Sequence, residues 1–147
     1  MAFAIKSPAF GDGATVPTQF TCDGNDVPPP LEVSDPPDGT RSFAVIMEDP
    51  DAPKGTFTHW LAYDIPANKT NLPVDTAKTL RNSFGRKGYG GPCPPPGHGR
   101  HRYFFRVYAV DEPSLALAGE TRQDLEKALK THALAIAELM GQYERAR

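Results

Sequence analysis

What this sequence has little of narrows its class first. No apolar run in its 147 residues approaches the length of a membrane span, so stable insertion into a bilayer is not expected. Met1 to Pro8 has neither a basic segment followed by a long apolar stretch nor a lipidation signal, and the expectation is a cytoplasmic chain. Charge of neither sign dominates. Sixteen Lys plus Arg against eighteen Asp plus Glu leave a formal charge of -2, so no global field draws nucleic acid, and any anion site must be local. Only Cys22 and Cys93 are present, at a spacing that matches no metal or thioredoxin-type motif. Both lie in polar loops rich in Gly and Pro, where they could meet as a disulfide, but a reducing cytosol favours two free thiols. Also missing are a Gly-x-Ser-x-Gly elbow, a His-Glu-x-x-His helix and a phosphate-binding P-loop, so no enzyme class, metal or cofactor is indicated.

Proline and glycine, by contrast, are plentiful. Sixteen prolines and thirteen glycines fall between apolar runs instead of forming one low-complexity tract, which argues for short strands joined by ordered loops. No internal repeat or composition break divides the chain, so residues 1–147 read as one domain long enough to bury a real core. Strands are expected at Ala2 to Ile5, Leu31 to Val33, Ser42 to Glu48, His59 to Ile65 and Tyr103 to Val110, each bounded by Pro, Gly, Asn or Asp. The block Phe43-Ala44-Val45-Ile46-Met47 is nearly continuous, as in a central strand covered on both faces. Near the C-terminus, Thr121-Arg122-Gln123-Asp124 resembles a helix N-cap with an acid at N3. Apolar residues then recur at Leu125, Ala128, Leu129, Ala133, Ile136, Leu139, Met140 and Tyr143, and this spacing predicts one amphipathic helix packed on the sheet. His132, beside that stripe, is read as packed or exposed and is given no chemistry.

Three segments could carry chemistry. Glu48-Asp49-Pro50-Asp51-Ala52-Pro53 follows the buried strand, and its prolines impose a stiff extended turn able to aim carboxylates. Thr58-His59-Trp60 sets a histidine beside the only tryptophan, and strict alternation puts His59 on the face of Leu61, opposite Trp60 and Ala62. Gly88 to Tyr103 passes from Gly and Pro into His98, Arg100, His101, Arg102 and Tyr103 at the mouth of an aromatic strand, where functional side chains are often placed. Singly, each has a bland reading: an Asp-Pro turn that bonds its own amides, a structural histidine, a rigid connector. Together they could frame a shallow cavity in which His101, Tyr103 or loop amides donate to a phosphate while Asp49 pairs with an ammonium.

Taken in order, these clusters resemble the phosphatidylethanolamine-binding proteins, in the prokaryotic branch often labelled Raf-kinase-inhibitor-like. The resemblance rests on Asp-Pro-Asp-Ala-Pro at 49 to 53, Thr-His-Trp at 58 to 60, and Gly-Pro-Cys-Pro-Pro-Pro-Gly running on to His101-Arg102-Tyr103. Phe20-Thr21-Cys22-Asp23-Gly24, Pro28-Pro29-Pro30-Leu31 and Lys130 to Ala135 extend it along nearly the whole chain. It implies a mainly β domain of two packed sheets with peripheral helices and a small anion pocket at one end. Matched residue by residue, that pocket comprises Asp49, Ala52, Pro53, His59, Gly91, Pro95, His101 and Tyr103. The implied function is non-enzymatic binding of a small anionic or zwitterionic ligand, such as a phosphate-type or phosphoethanolamine-like lipid head group, with regulation of a protein partner as a further role. The alternative is inhibition of a serine protease or a kinase-type signalling enzyme through rigid surface loops. A third and weaker reading is acid/base catalysis by His59 or His101 with Asp49. Small prokaryotic members are often homodimers, so a homodimer is expected by analogy. Cys93 stands where the eukaryotic pattern has glycine, a departure in the loop that leads to the pocket.

Overall fold

The apolar block after Arg41 does become a strand covered on both faces, and the other elements are arranged around it. In the computed structural model, which describes residues 2–146, β3 (Ser42–Asp49) lies between β4 (Phe57–Pro66) and β7 (His101–Val110), antiparallel to both. Successive side chains leave a strand on opposite faces. Phe43, Val45 and Met47 therefore enter one core while Ala44 and Ile46 enter another.

The first core is closed by a second sheet. β1 (Ala4–Lys6), β2 (Leu31–Ser34) and β5 (Asn71–Leu72) pair antiparallel in the order β1-β2-β5, and their Ile5, Leu31, Val33 and Leu72 join the core that contains Trp60, Phe105 and Val107. β6 (Lys78–Thr79) and β8 (Ala133–Tyr143) complete the larger sheet, whose order is β6-β4-β3-β7-β8. The fold is thus mainly β, two antiparallel sheets with a single C-terminal helix, as the sequence reading expects. No helix among the described residues is long and apolar enough to cross a membrane.

That helix, α1 (Arg122–His132), begins where its cap is written and ends earlier than its periodicity predicts. Thr121 Oγ1 accepts from the Asp124 amide at 3.3 Å and the Asp124 carboxylate accepts from the Thr121 amide at 3.0 Å, a complete capping box. Leu125 and Leu129 cover Ala44 and Ile46 from outside the sheet. The stripe expected to continue to Tyr143 instead turns into β8, which pairs with β7 from Val110↔Ala133 to His101↔Tyr143. Leu139 and Tyr143 are four apart and fit a helix, but Ala137, Leu139, Gly141 and Tyr143 are also two apart, and these four are buried. Ten paired positions against β7 supply backbone bonds to a segment whose Gly141 would weaken a helix. Gly141 is also required by packing, since a Cβ there would lie 2.5 Å from Val16 Cγ2 and 2.8 Å from Phe10 Cε2. His132 sits at the junction, its Nδ1 2.9 Å from Asp111 Oδ1.

A second expectation is overturned. Cys22 and Cys93 are not free thiols but are joined as a disulfide. The Cys22 amide donates to the Pro92 carbonyl at 3.1 Å, so the two loops already run side by side, and a prior based on compartment gave no view of that contact.

The bridge spans a sequence separation of 71, and closing so long a loop should remove about 4 kcal/mol of unfolded-state entropy. Thiol titration of the denatured chain without reductant should find no free thiol, and the Cys22→Ser, Cys93→Ser double variant should lose stability of that order in urea unfolding. Leu125→Ala, which empties a fully buried site between helix and sheet, should cost about 2–5 kcal/mol in the same assay.

Candidate functional site

The site lies where the end of β3 meets the start of β7. Met47 and Phe105 are register partners in the main core, so two residues further along each strand the same face presents Asp49 and Tyr103, and beyond Tyr103 comes His101. All three are buried. Between them and the 49–53 turn is a cavity of about 170 Å³, lined also by Ala52, Pro53, Phe57, His59, Phe84, Cys93, Pro94 and Pro95.

His59 reaches this face through an irregularity. Met47 pairs with Trp60 and Glu48 with Thr58, which leaves His59 as the extra residue of a β-bulge. Strict alternation would send His59 to the side of Leu61, in the outer core. The bulge turns it instead toward Tyr103, with ring centroids 5.2 Å apart, and the expectation from period two is corrected. Its Nδ1 lies 2.7 Å from the Gly90 carbonyl, which can only accept, so Nδ1 carries the proton and Nε2 is left with a lone pair. Burial pushes the imidazole below its ordinary pKa and favours this neutral form.

Asp49 is committed inside the protein. One carboxylate oxygen accepts from the Asp51 amide at 2.7 Å and the other lies 2.6 Å from His101 Nδ1. The ammonium partner expected from sequence finds both oxygens engaged, and Asp49 serves to orient His101. Beyond it, Asp51 accepts from the Arg102 amide, Nε and Nη2 at 2.8 to 2.9 Å. The Arg102 bonds hold the Asp51 carboxyl down at about 2, and they tie the start of β7 to the 49–53 turn from outside the cavity.

Tyr103 is the group left over. Its ring is fully buried, yet the hydroxyl has no hydrogen-bond partner among the described residues. Burial first, then the nearby Asp49 charge and the approach of the hydroxyl to the Asp49 carboxylate, push the phenol well above its ordinary pKa, so it stays an O–H donor.

Seven of the eight positions marked in the sequence line this cavity, and Gly91 does not. The Gly91 amide donates to Asp26 Oδ1 at 2.7 Å, and a Cβ there would lie 2.2 Å from the Phe20 carbonyl oxygen, so its role is to let two loops pack behind the wall. Phe57, Phe84, Cys93 and Pro94 were missed. Phe57 and Phe84 meet edge-on at 4.8 Å and form an aromatic side of the cavity. Phe84 is held there by a turn in which buried Asn82 accepts from the Phe84 amide and donates to the Gly88 carbonyl. No periodicity marks such a residue. His98 also went unassigned within a segment that was singled out, and its Nδ1 lies 2.7 Å from His101 Nε2.

Comparison with known proteins agrees with this geometry. A family model described as phosphatidylethanolamine-binding protein matches residues 6–144. A UPF0098 protein of Aquifex aeolicus is 48% identical over 150 residues, covering 96% of this chain and 88% of that one. The crystal structure of a phosphatidylethanolamine-binding protein homologue, CT736 of Chlamydia trachomatis, matches with a TM-score of 0.90 at 37% identity over 98% of each chain. E. coli YbcL, described as a new member of the mammalian family, matches with a TM-score of 0.89 at 33% identity over 98% of this chain and 99% of its own. The family match, the sequence identities and the nearly complete structural overlap agree, and the chain belongs to the phosphatidylethanolamine-binding protein family.

Proposed function

We propose that this chain is a non-enzymatic binding protein whose cavity takes a small anionic group, a phosphate or carboxylate, including the phosphate of a phosphoethanolamine-type head group. The observation that carries this reading is the Tyr103 hydroxyl, buried and without a hydrogen-bond partner among the described residues, on a side chain that lines the cavity together with His101. A buried donor without an acceptor is costly, and an anionic oxygen is the strongest acceptor that could meet it. About 170 Å³ holds on the order of five waters' worth of volume, room for a head group and not for a large ligand. A protonated phosphate oxygen would also find an acceptor in neutral His59 Nε2. With both Asp49 oxygens engaged by the Asp51 amide and His101, no free carboxylate oxygen is left to receive an ammonium, and the anion is read as the buried end of a zwitterion.

The non-enzymatic part of the reading is supported by the lining. Among the described lining residues the cysteine is bridged and the hydroxyl is a phenol that burial keeps protonated, so neither a thiolate nor an activated hydroxyl is offered to a substrate. The compartment is read through the same bridge. A disulfide persists in an oxidising compartment and is reduced in an ordinary cytosol, so the cytoplasmic expectation stands against it.

Titration calorimetry with phosphate, phosphoethanolamine and acetate should give binding heat, and its absence with all three sinks the proposal. Tyr103→Phe and His101→Ala should each weaken binding about ten- to hundredfold, the range for one hydrogen bond to a charged group. A screen of phosphate esters should show no turnover above that of the His59→Ala, His101→Ala variant, and turnover above it would restore the acid/base reading.

A further inference from the structure

His101 is buried, and both of its ring nitrogens are occupied. Nδ1 faces Asp49 Oδ2 at 2.6 Å, and Nε2 faces Nδ1 of His98 at 2.7 Å with the rings inclined at 66°. An anion in the cavity would need the Nε2 side of His101, which is the side His98 holds. His98 itself is exposed and sits between Gly97 and Gly99, both at positive φ, 74° and 89°, conformations that leave the backbone on either side free of Cβ constraint. Its amide donates to the Pro95 carbonyl at 3.1 Å and the Gly97 amide to the Arg145 carbonyl at 2.9 Å, so the main chain is anchored while the side chain can leave.

We infer that His98 is a latch on the cavity, an imidazole that occupies the Nε2 side of His101 and is displaced by an incoming oxyanion. The inference rests on the anion reading above and deepens it by giving binding a proton count. With His101 Nδ1–H donated to Asp49, the contact closes in two ways: His98 Nδ1–H donates to neutral His101, or, with one proton more, Nε2–H of cationic His101 donates to neutral His98. In the first arrangement His101 offers an anion no hydrogen. A further proton, on His98, removes the acceptor, the contact becomes N–H against N–H, and the latch opens with both imidazoles cationic. Anion binding should therefore draw in protons, and His98 should oppose binding while it is neutral and assist it when both imidazoles are cationic.

The charged groups around the pair are Asp49 behind His101, Asp51 with Arg102 at the 49–53 turn, Arg100 with Glu144, and Arg145 with Asp23 at the end of β8. Neutral His59 is the remaining imidazole of the site. Two variants share all of these groups and differ only at position 98. His98→Ala has no latch. His98→Gln keeps an amide donor that can bond His101 Nε2 but cannot take up a proton.

Sulfate is the probe, because its charge is constant from about pH 5.5 to about 8.5, the range in which imidazoles change charge. Its affinity is measured by calorimetry on the full chain and both variants across that range. At the alkaline end His98→Ala should bind about fivefold tighter than the natural chain, the effect of one hydrogen bond no longer opposed, and at the acid end it should bind more weakly. The two affinity curves should cross. His98→Gln should stay as weak as the latched protein at every pH. Binding in all three proteins with pH curves that never cross overturns the latch and leaves the anion site standing. No sulfate or phosphate binding in any of them overturns both.

Discussion

The double burial of β3 is the constraint on which the rest depends. A strand whose two faces both enter a core must have neighbours on both edges and covering layers on both sides, and β4, β7, the small sheet and α1 supply them. Because side chains alternate with period two, a slip of one residue would exchange the two cores, so the register against β4 and β7 is strongly specified. Asp49 stands at the end of this strand. Its position opposite the start of β7 follows from the same register that packs Met47 against Phe105.

The site is therefore an extension of the core that runs out of apolar residues. Along one face of β7 the series Val107, Phe105, Tyr103, His101 passes from aliphatic through aromatic to polar, and along β3 the series Val45, Met47, Asp49 does the same. Burial continues where apolarity stops, which is why each polar group there needs a partner. Asp49 and His101 satisfy one another, His59 satisfies a loop carbonyl, and Tyr103 has no partner among the described residues. The chemistry comes from that remainder. The wall opposite is fastened by the Cys22–Cys93 bridge and by the packing of Gly91 against Phe20, so the proline segment from Pro94 to Pro95 is anchored at its base.

Much of this was legible in residue order. The block from Phe43 to Met47 announces a doubly buried strand, Thr121 and Asp124 announce a helix start, and the Asp-Pro, Thr-His-Trp and His-Arg-Tyr segments mark the cavity's polar groups. What failed did so for particular reasons. Residues 133–143 satisfy helical and strand periodicity at once, and only the presence of β7 alongside decides between them. His59 changes face because a bulge inserts one residue, and a bulge is a property of two strands, not of one. Phe57, Phe84 and His98 acquire their meaning from neighbours distant in sequence or from a turn that aims them inward.

Sequence alone thus determined the local quantities: which segments are stiff, which are apolar on both faces, where a helix can begin, and which family the motifs resemble. These depend on near neighbours and on side-chain chemistry. The tertiary structure decided where the helix ends, whether the cysteines bond, which way His59 points, and that His98 holds the free side of His101. Each of those depends on an energy shared between segments far apart in the chain, and such an energy exists only once the sheets have formed.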